Sequence, residues 1–314
     1  MLRVAGNELF SRFEQNPIVT AADWPHFVNA VFNPAAARFE GETLLLARVE
    51  DRTGVSHLGV AVSADGLTGW TIDAERSFVP DRESFAERFG IEDPRITKIG
   101  EDYLIVYTGF SRRGPLVCLA ATRDFRQYER RGVLLPPENK DAALFPEQIA
   151  GRWALIHRPV TTAPRQTGEI WLSWSPDLEH WGGHTLLLGS GEAGHWDAEK
   201  LGLGPPPLAT PQGWLLLYHG VRVTAAGSIY RLGLALLDRE RPDQVLARSR
   251  EWMFGPEAPY ERHGDVDNVV FPCGWLLLDD GDTLRIYYGA ADTSVCVATA
   301  SLSALLDWLK SHAD

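Results

Sequence analysis

Two sets of polar residues recur at matched places along the chain. The first closes five short apolar runs and reads Arg48, Thr108, Arg158, His219 and Tyr288. The second precedes those runs, beside prolines: Asn33-Pro34, Asp93-Pro94, Phe145-Pro146, Pro206-Pro207 and Phe271-Pro272. Proline is confined to the first residue or the edge of a strand, so each pair marks the start of an innermost strand. One strand's end and its antiparallel neighbour's start share an end of the sheet, which sets Asn33 and Asp93 on the same face as Arg48, Arg158 and His219. A carboxylate, guanidinium groups and an imidazole converging in a concavity mark a site able to hold a polar substrate and move a proton. Taken singly, the same residues have plainer readings. A lone arginine at a strand end is a solvated or ion-paired group, and Asp93 in GIEDPR could equally be a turn or cap carboxylate. Lys140 in NKDAALFPE and Lys200 in HWDAEKLG read as surface lysines.

The elements that must position these residues form a repeat. The apolar runs are TLLLARVED (43–51), YLIVYTGFS (103–111), WALIHRPVT (153–161), WLLLYHGVR (214–222) and TLRIYYGAA (283–291). Each is followed by a polar or Gly-rich connection and a second strand: HLGVAVS, VCLAATR, IWLSWSP, RLGLALLD and VCVATAS. In three copies the second strand ends in a shared tail, Ser63-x-Asp65 to Trp70, Thr122-x-Asp124 to Tyr128 and Ser175-x-Asp177 to Trp181. Turn-forming Asp next to an aromatic suits a strand exit packed on its neighbour. A spacing of about fifty to seventy residues is normal for four-stranded propeller blades. Residues 1–314 are therefore read as a single all-β domain, a five-bladed β-propeller with one short C-terminal helix over 303–312. A β-sandwich would explain the strands but not the repeat.

Composition narrows the partners. The chain has 314 residues, is 45% hydrophobic, and carries a formal net charge of -12, a field that repels a nucleic-acid backbone. Cys118, Cys273 and Cys296 form no CxxC pair, which points to buried free thiols in a reducing compartment. The segment MLRVAGNELFSRFEQ lacks the apolar core of a signal peptide, and the stretch around Val269 to Leu278 is too short for a bilayer. A soluble, cytoplasmic protein with no membrane partner is expected. Gly189-x-Gly191-x-x-Gly194 lacks a surrounding strand–helix–strand unit and is read as a loop; His157 and His180 lack metal-ligand spacing, so no metal is expected. Trp24 or Trp196 could stack on a sugar ring.

The strings NPAAARF, LLLARVEDRTG, FGIEDPRIT, NKDAALFPE, IHRPV, WDAEKLGLGPPP, GWLLLYHGV and YYGAAD, in this order from about Asn33 to Asp292, resemble glycoside hydrolase family 130. That family comprises β-mannoside phosphorylases and a smaller set of β-mannosidases on a five-bladed propeller. The resemblance implies that Asp93 is the general acid, protonating the glycosidic oxygen through the 3-hydroxyl of the mannose. It implies a phosphate pocket of Lys140, Arg158, Lys200 and His219, with the sugar held by Asn33, Arg48, Asp51 and Asp292, and Arg95 nearby. Tyr288 joins these through its place in the repeat. Lys140 stands where other members carry arginine, which replaces a planar fork by a point charge and implies weaker phosphate binding.

Such a set makes chemical sense. An inverting hydrolase needs a second carboxylate to activate water, whereas phosphate arrives as a competent nucleophile and needs cations to hold it in line with the anomeric carbon. The expected reaction is inverting phosphorolysis of β-mannosides, with short β-1,4-manno-oligosaccharides first, giving α-mannose 1-phosphate. No cofactor is expected, inorganic phosphate being a co-substrate. β-1,2-mannosides and mannosyl-glucose or mannosyl-N-acetylglucosamine remain open. So do a hydrolase using Glu50, Asp197 or Glu199 as base, and a non-catalytic sugar-binding propeller. The acceptor side is assigned to the His26–Phe32 segment, the Arg112–Pro115 turn and the Thr161–Gly168 loop. Neighbouring subunits of a homo-oligomer could complete it.

Overall fold

A computed structural model of the chain describes residues 9–161 and 167–313. A two-residue strand, β1 (Ser11–Arg12), precedes five antiparallel meanders. The first is β2 (Ala30–Phe39), β3 (Glu42–Glu50), β4 (Ser56–Ser63) and β5 (Thr71–Phe78); the second is β6 (Ile91–Ile99), β7 (Asp102–Ser111), β8 (Gly114–Thr122) and β9 (Glu129–Leu135). The third joins β10 (Asn139–Leu144) and β11 (Trp153–Thr161), after the short β12 (Thr167–Gly168), to β13 (Ile170–Ser175) and β14 (Gly182–Leu188). The fourth runs β15 (Lys200–Leu203), β16 (Leu208–Thr210), β17 (Gly213–Thr224), β18 (Gly227–Leu237) and β19 (Val245–Arg248), with β15 and β16 both paired to β17. The fifth is β20 (Val270–Leu277), β21 (Thr283–Ala290) and β22 (Ser294–Ser301), and β1 pairs with β22 as its fourth strand.

The apolar runs of the repeat are thus β3, β7, β11, β17 and β21, each buried between its neighbours. The innermost strands pack on one another, β2 against β6 and β20, and β10 against β6 and β15. The described residues are all-β apart from a one-turn helix, α1 (Pro259–Arg262), a 3-10 turn at Ala21–Asp23 and the C-terminal helix α2 (Leu302–His312). Ser301 caps α2 by accepting from the Ala304 amide, and Leu305, Leu306 and Leu309 bury against β21 and β22 residues. In the shared tails, Asp65, Asp124 and Asp177 each accept two backbone amides. Asp238 does the same at the end of β18, a fourth copy that the sequence comparison missed. All three cysteines are buried and unpaired. No helix among the described residues is long and apolar enough to cross a membrane.

One expectation changes. Asn33-Pro34, Asp93-Pro94 and Phe271-Pro272 lie inside β2, β6 and β20, not at their starts; Phe145-Pro146 follows β10, and Pro206-Pro207 falls between β15 and β16. The proline rule failed in β2, β6 and β20 because a bulge interrupts each of them at the proline, where a missing amide costs no ladder bond. Register slips between Phe32 and Ala35, Glu92 and Arg95, Lys140 and Ala143, and Pro272 and Gly274. Asn33, Asp93 and Asp141 occupy the left-handed region at the first three bulges, with φ of 46°, 47° and 50°. The equivalent of Asn33 and Asp93 in the third meander is therefore Asp141, not Phe145.

Candidate active site

The register explains why polar groups converge. Phe32, Glu92, Lys140, Gly202 and Pro272 stand directly opposite Arg48, Thr108, Arg158, His219 and Tyr288. The repeat therefore aligned equivalent backbone positions correctly. A cavity of about 310 Å³ opens there, lined by Asn33, Arg48, Asp93, Lys140, Arg158, Lys200, His219 and Asp292. Val269, Phe271 and Tyr230 supply its apolar wall.

One side of the cavity is acidic and tightly bonded. Asn33 Nδ2 donates to Asp93 Oδ1 at 2.9 Å, and Arg48 Nη1 lies 3.4 Å from the same oxygen. Arg48 also donates through Nε to Ser56 Oγ, pairs with Glu92 at 3.1 Å, and sits over the Phe32 ring. Burial pushes the Asp93 carboxyl up, but Arg48, Lys140 and the Asn33 bond outweigh it and hold the group below its ordinary value. Asp292 goes the other way. Burial, then the neighbouring Asp93 charge, raises it to about 6 against the pull of Arg48.

Cations dominate the other side. Arg158 Nε donates to Asp141 Oδ2 at 2.8 Å, so this bond leaves the two Nη groups for other partners. His219 Nε2 lies 3.7 Å from the same oxygen, and the His219 ring packs on Phe271. Burial and then the nearby cations, opposed by Asp141, push His219 down to about 3, so it is a neutral imidazole near pH 7. Lys200 is lowered by burial and by the charges of Arg158 and Lys140. The charge of Lys140 acts on Asp93 and Asp292 on one side and on Lys200 and His219 on the other, which makes the two sides one site. Two glycines allow this approach. A Cβ at Gly202 would come within 2.3 Å of both Asp141 Oδ2 and His219 Cε1, and one at Gly168 within 2.7 Å of Arg158 Cδ and Nη1.

Three expected residues stay outside the cavity lining. Tyr288 is buried with Phe254 and donates its hydroxyl to Glu261 Oε1 at 2.7 Å; equal register placed its backbone but not its side chain. Asp51 shapes a turn, accepting from the Thr53 and Val55 amides. Arg95 lies beneath the site, 1% exposed, donating to the carbonyls of Asp93, Leu203 and Gly204. The tryptophans are also buried: Trp24 packs against Gly59, and Trp196 donates to the Arg250 carbonyl. None of the bases proposed for a hydrolase lines the cavity. Asp197 is paired with Arg248 at 2.7 Å, Glu199 accepts from the Val223 amide, and Glu50 lies 3.6 Å from Arg48. Of the acceptor-side segments, the Arg112–Pro115 turn contributes Pro115 and the His26–Phe32 segment contributes no lining residue. The Thr161–Gly168 loop lies largely outside the described residues. Sequence reading missed Asp141, Glu92, Tyr230 and the rim residue Glu138. Aligning NPAA at 33–36 with DPRI at 93–96 and DAAL at 141–144 would have found Asp141.

A family model described as beta-1,4-mannooligosaccharide phosphorylase matches residues 4–311. A 1,2-beta-oligomannan phosphorylase of Thermoanaerobacter sp. (strain X514) is 39% identical over 86% of this chain and 89% of its own. A beta-1,4-mannooligosaccharide phosphorylase of Ruminococcus albus is 33% identical over 96% and 91% of the two chains. The solved structure of a beta-1,2-mannobiose phosphorylase from Listeria innocua, in complex with beta-1,2-mannobiose, superposes with a TM-score of 0.88. It is 33% identical and covers 96% of this chain and 99% of its own.

Proposed function

Because the chain belongs to glycoside hydrolase family 130, the family of these mannoside phosphorylases, we propose that it is an inverting β-mannoside phosphorylase. The observation that carries this reading is one cavity lined both by carboxylates, Asp93 and Asp292, and by the cations Lys140, Arg158 and Lys200. Phosphate sits among Lys140, Arg158, Lys200 and His219, where guanidinium and ammonium groups offset its charge and neutral His219 offers a further polar atom. The mannose ring lies on Asn33, Arg48 and Asp292, with Asp93 as the general acid serving the departing glycosidic oxygen. Attack by a phosphate oxygen on the anomeric carbon, opposite the leaving group, gives α-mannose 1-phosphate and a chain shortened by one sugar. Phosphate is a co-substrate, and the reading calls for no other cofactor. The five meanders serve as the blades of one propeller domain spanning 1–314, which works in the cytoplasm.

Asp51, Arg95 and Tyr288 have no direct part in this reading. Substrates are short β-linked manno-oligosaccharides. Relatives acting on 1,2-linked and on 1,4-linked mannosides match this chain to similar degrees, so both linkages belong in the test. Purified protein is incubated with β-1,4- or β-1,2-mannobiose, with and without phosphate, and mannose 1-phosphate and free mannose are quantified separately. Mannose 1-phosphate formed only with phosphate is the expected result. Free mannose formed regardless of phosphate would make the protein a hydrolase.

A further inference from the structure

We propose that Asp141 is a positioning residue that holds Arg158 in place for phosphate; this rests on the phosphorolytic reading of the cavity. Asp141 is fully buried and does not line the cavity. Asn33 and Asp93, at the two equivalent bulges, both do, so the third bulge turns its carboxylate to the back of the site. There it meets groups from three other strands: Arg158 Nε of β11 at 2.8 Å, His219 Nε2 of β17 at 3.7 Å and Arg95 Nη2 of β6 at 3.7 Å.

Each contact bears on the site. Arginine has a long, flexible stem, and a bond to Nε fixes both the guanidinium plane and the direction of its Nη pair. Arg95 carries the tie onward, since its Nη1 donates to the Asp93 carbonyl at 2.9 Å. One buried carboxylate thereby links the cationic side to the backbone of the acid. Gly202 marks how closely this is built: any side chain there would strike Asp141 and His219 together. Burying a carboxylate is costly unless it is paired, and this one is paired mainly with a group that faces the substrate.

The test is phosphate binding by calorimetry, with steady-state KM values for phosphate and mannoside, on wild type, Asp141→Asn, Asp141→Ala and Gly202→Ala. Asp141→Ala should weaken phosphate binding by roughly tenfold or more, the loss of one oriented charge-assisted arginine contact. Asp141→Asn, which keeps an acceptor for Nε, should lose less. Gly202→Ala, which leaves every charge in place, should also weaken phosphate binding. The mannoside KM should stay within about twofold throughout, since positioning for phosphate leaves uniform sugar binding intact. Phosphate binding equal to wild type in the Asp141 variants, or equal losses for phosphate and mannoside, would overturn the inference. Should Asp141→Ala not fold, Asp141→Asn and Gly202→Ala decide it by the same criteria. Wild type that fails to bind phosphate would overturn the phosphorolytic reading, and the inference with it.

Discussion

Burial opposes the ionised Asp93 carboxylate, but Arg48, Lys140 and the Asn33 bond outweigh it and keep the group ionised. Under the proposed function, a phosphate dianion next to Lys140 would oppose those cations and raise the proton affinity of the carboxyl, coupling nucleophile loading to the acid. Asp93→Asn should lower turnover by roughly a hundred- to ten-thousandfold, the usual contribution of a general acid, while calorimetry still detects mannoside binding. Turnover near the wild-type rate would remove Asp93 from that role. Asp292 gives a pH signature. Its carboxyl rises from 3.8 to about 6 in the fold, so the neutral form is favoured there and the associated stability is lost as pH rises through about 6. Asp292→Asn should therefore be more stable than wild type above pH 7 in urea unfolding, with the gap closing towards pH 4. A gap independent of pH would refute the assignment. Much of this was legible in sequence: Arg48, Arg158 and His219 came from the repeat alone. Lys140 and Lys200 did not, because a single lysine carries no signal of where its ammonium points, and only the resemblance to a family singled them out.

At the scale of elements, the bulge is the device that builds the site. It inserts a residue into the innermost strand and aims Asn33 and Asp93 into the cavity and Asp141 behind it. Strand periodicity assigns side chains to faces only while the ladder is regular, which explains why Asp141 was overlooked. The repeat, the shared Asp turns and the C-terminal helix are local patterns and could be read directly. Side-chain direction after a register slip is a tertiary outcome. The short strand β12 gives a prediction at this scale. Gly168 pairs with Val160 of β11 and with Lys200 of β15, and a Cβ there would displace the Arg158 side chain. Gly168→Ala should raise the phosphate KM by about tenfold, a loss of one oriented cationic contact, and leave the thermal midpoint nearly unchanged. A lowered midpoint with an unchanged phosphate KM would contradict this.

At the scale of the whole molecule, β1 ties the start of the described chain to the last strand. Arg12 pairs with β22 through its backbone, while its guanidinium grips Glu261 of α1, at 2.8 Å through Nε and 3.0 Å through Nη2. Glu261 is fully buried and also accepts from Tyr288, the residue that equal register had set among the site groups. Arg12→Ala removes the guanidinium from that buried charge, leaving it the Tyr288 hydroxyl and the Glu257 and Ala258 amides, and should cost about 3–5 kcal/mol in chemical unfolding; a cost under about 1 kcal/mol, the level of an exposed pair, would show that the clasp is not a buried one. Closing the chain on itself keeps five meanders around one cavity, and the function proposed for that cavity turns on phosphate. The most direct measurement compares KM for phosphate and for mannoside in wild type, Arg158→Ala and His219→Ala. Phosphate KM should rise by about tenfold or more in each variant, from the loss of a bidentate or hydrogen-bonding partner, with little change for the mannoside. Equal rises for both substrates, or turnover that ignores phosphate altogether, would contradict this.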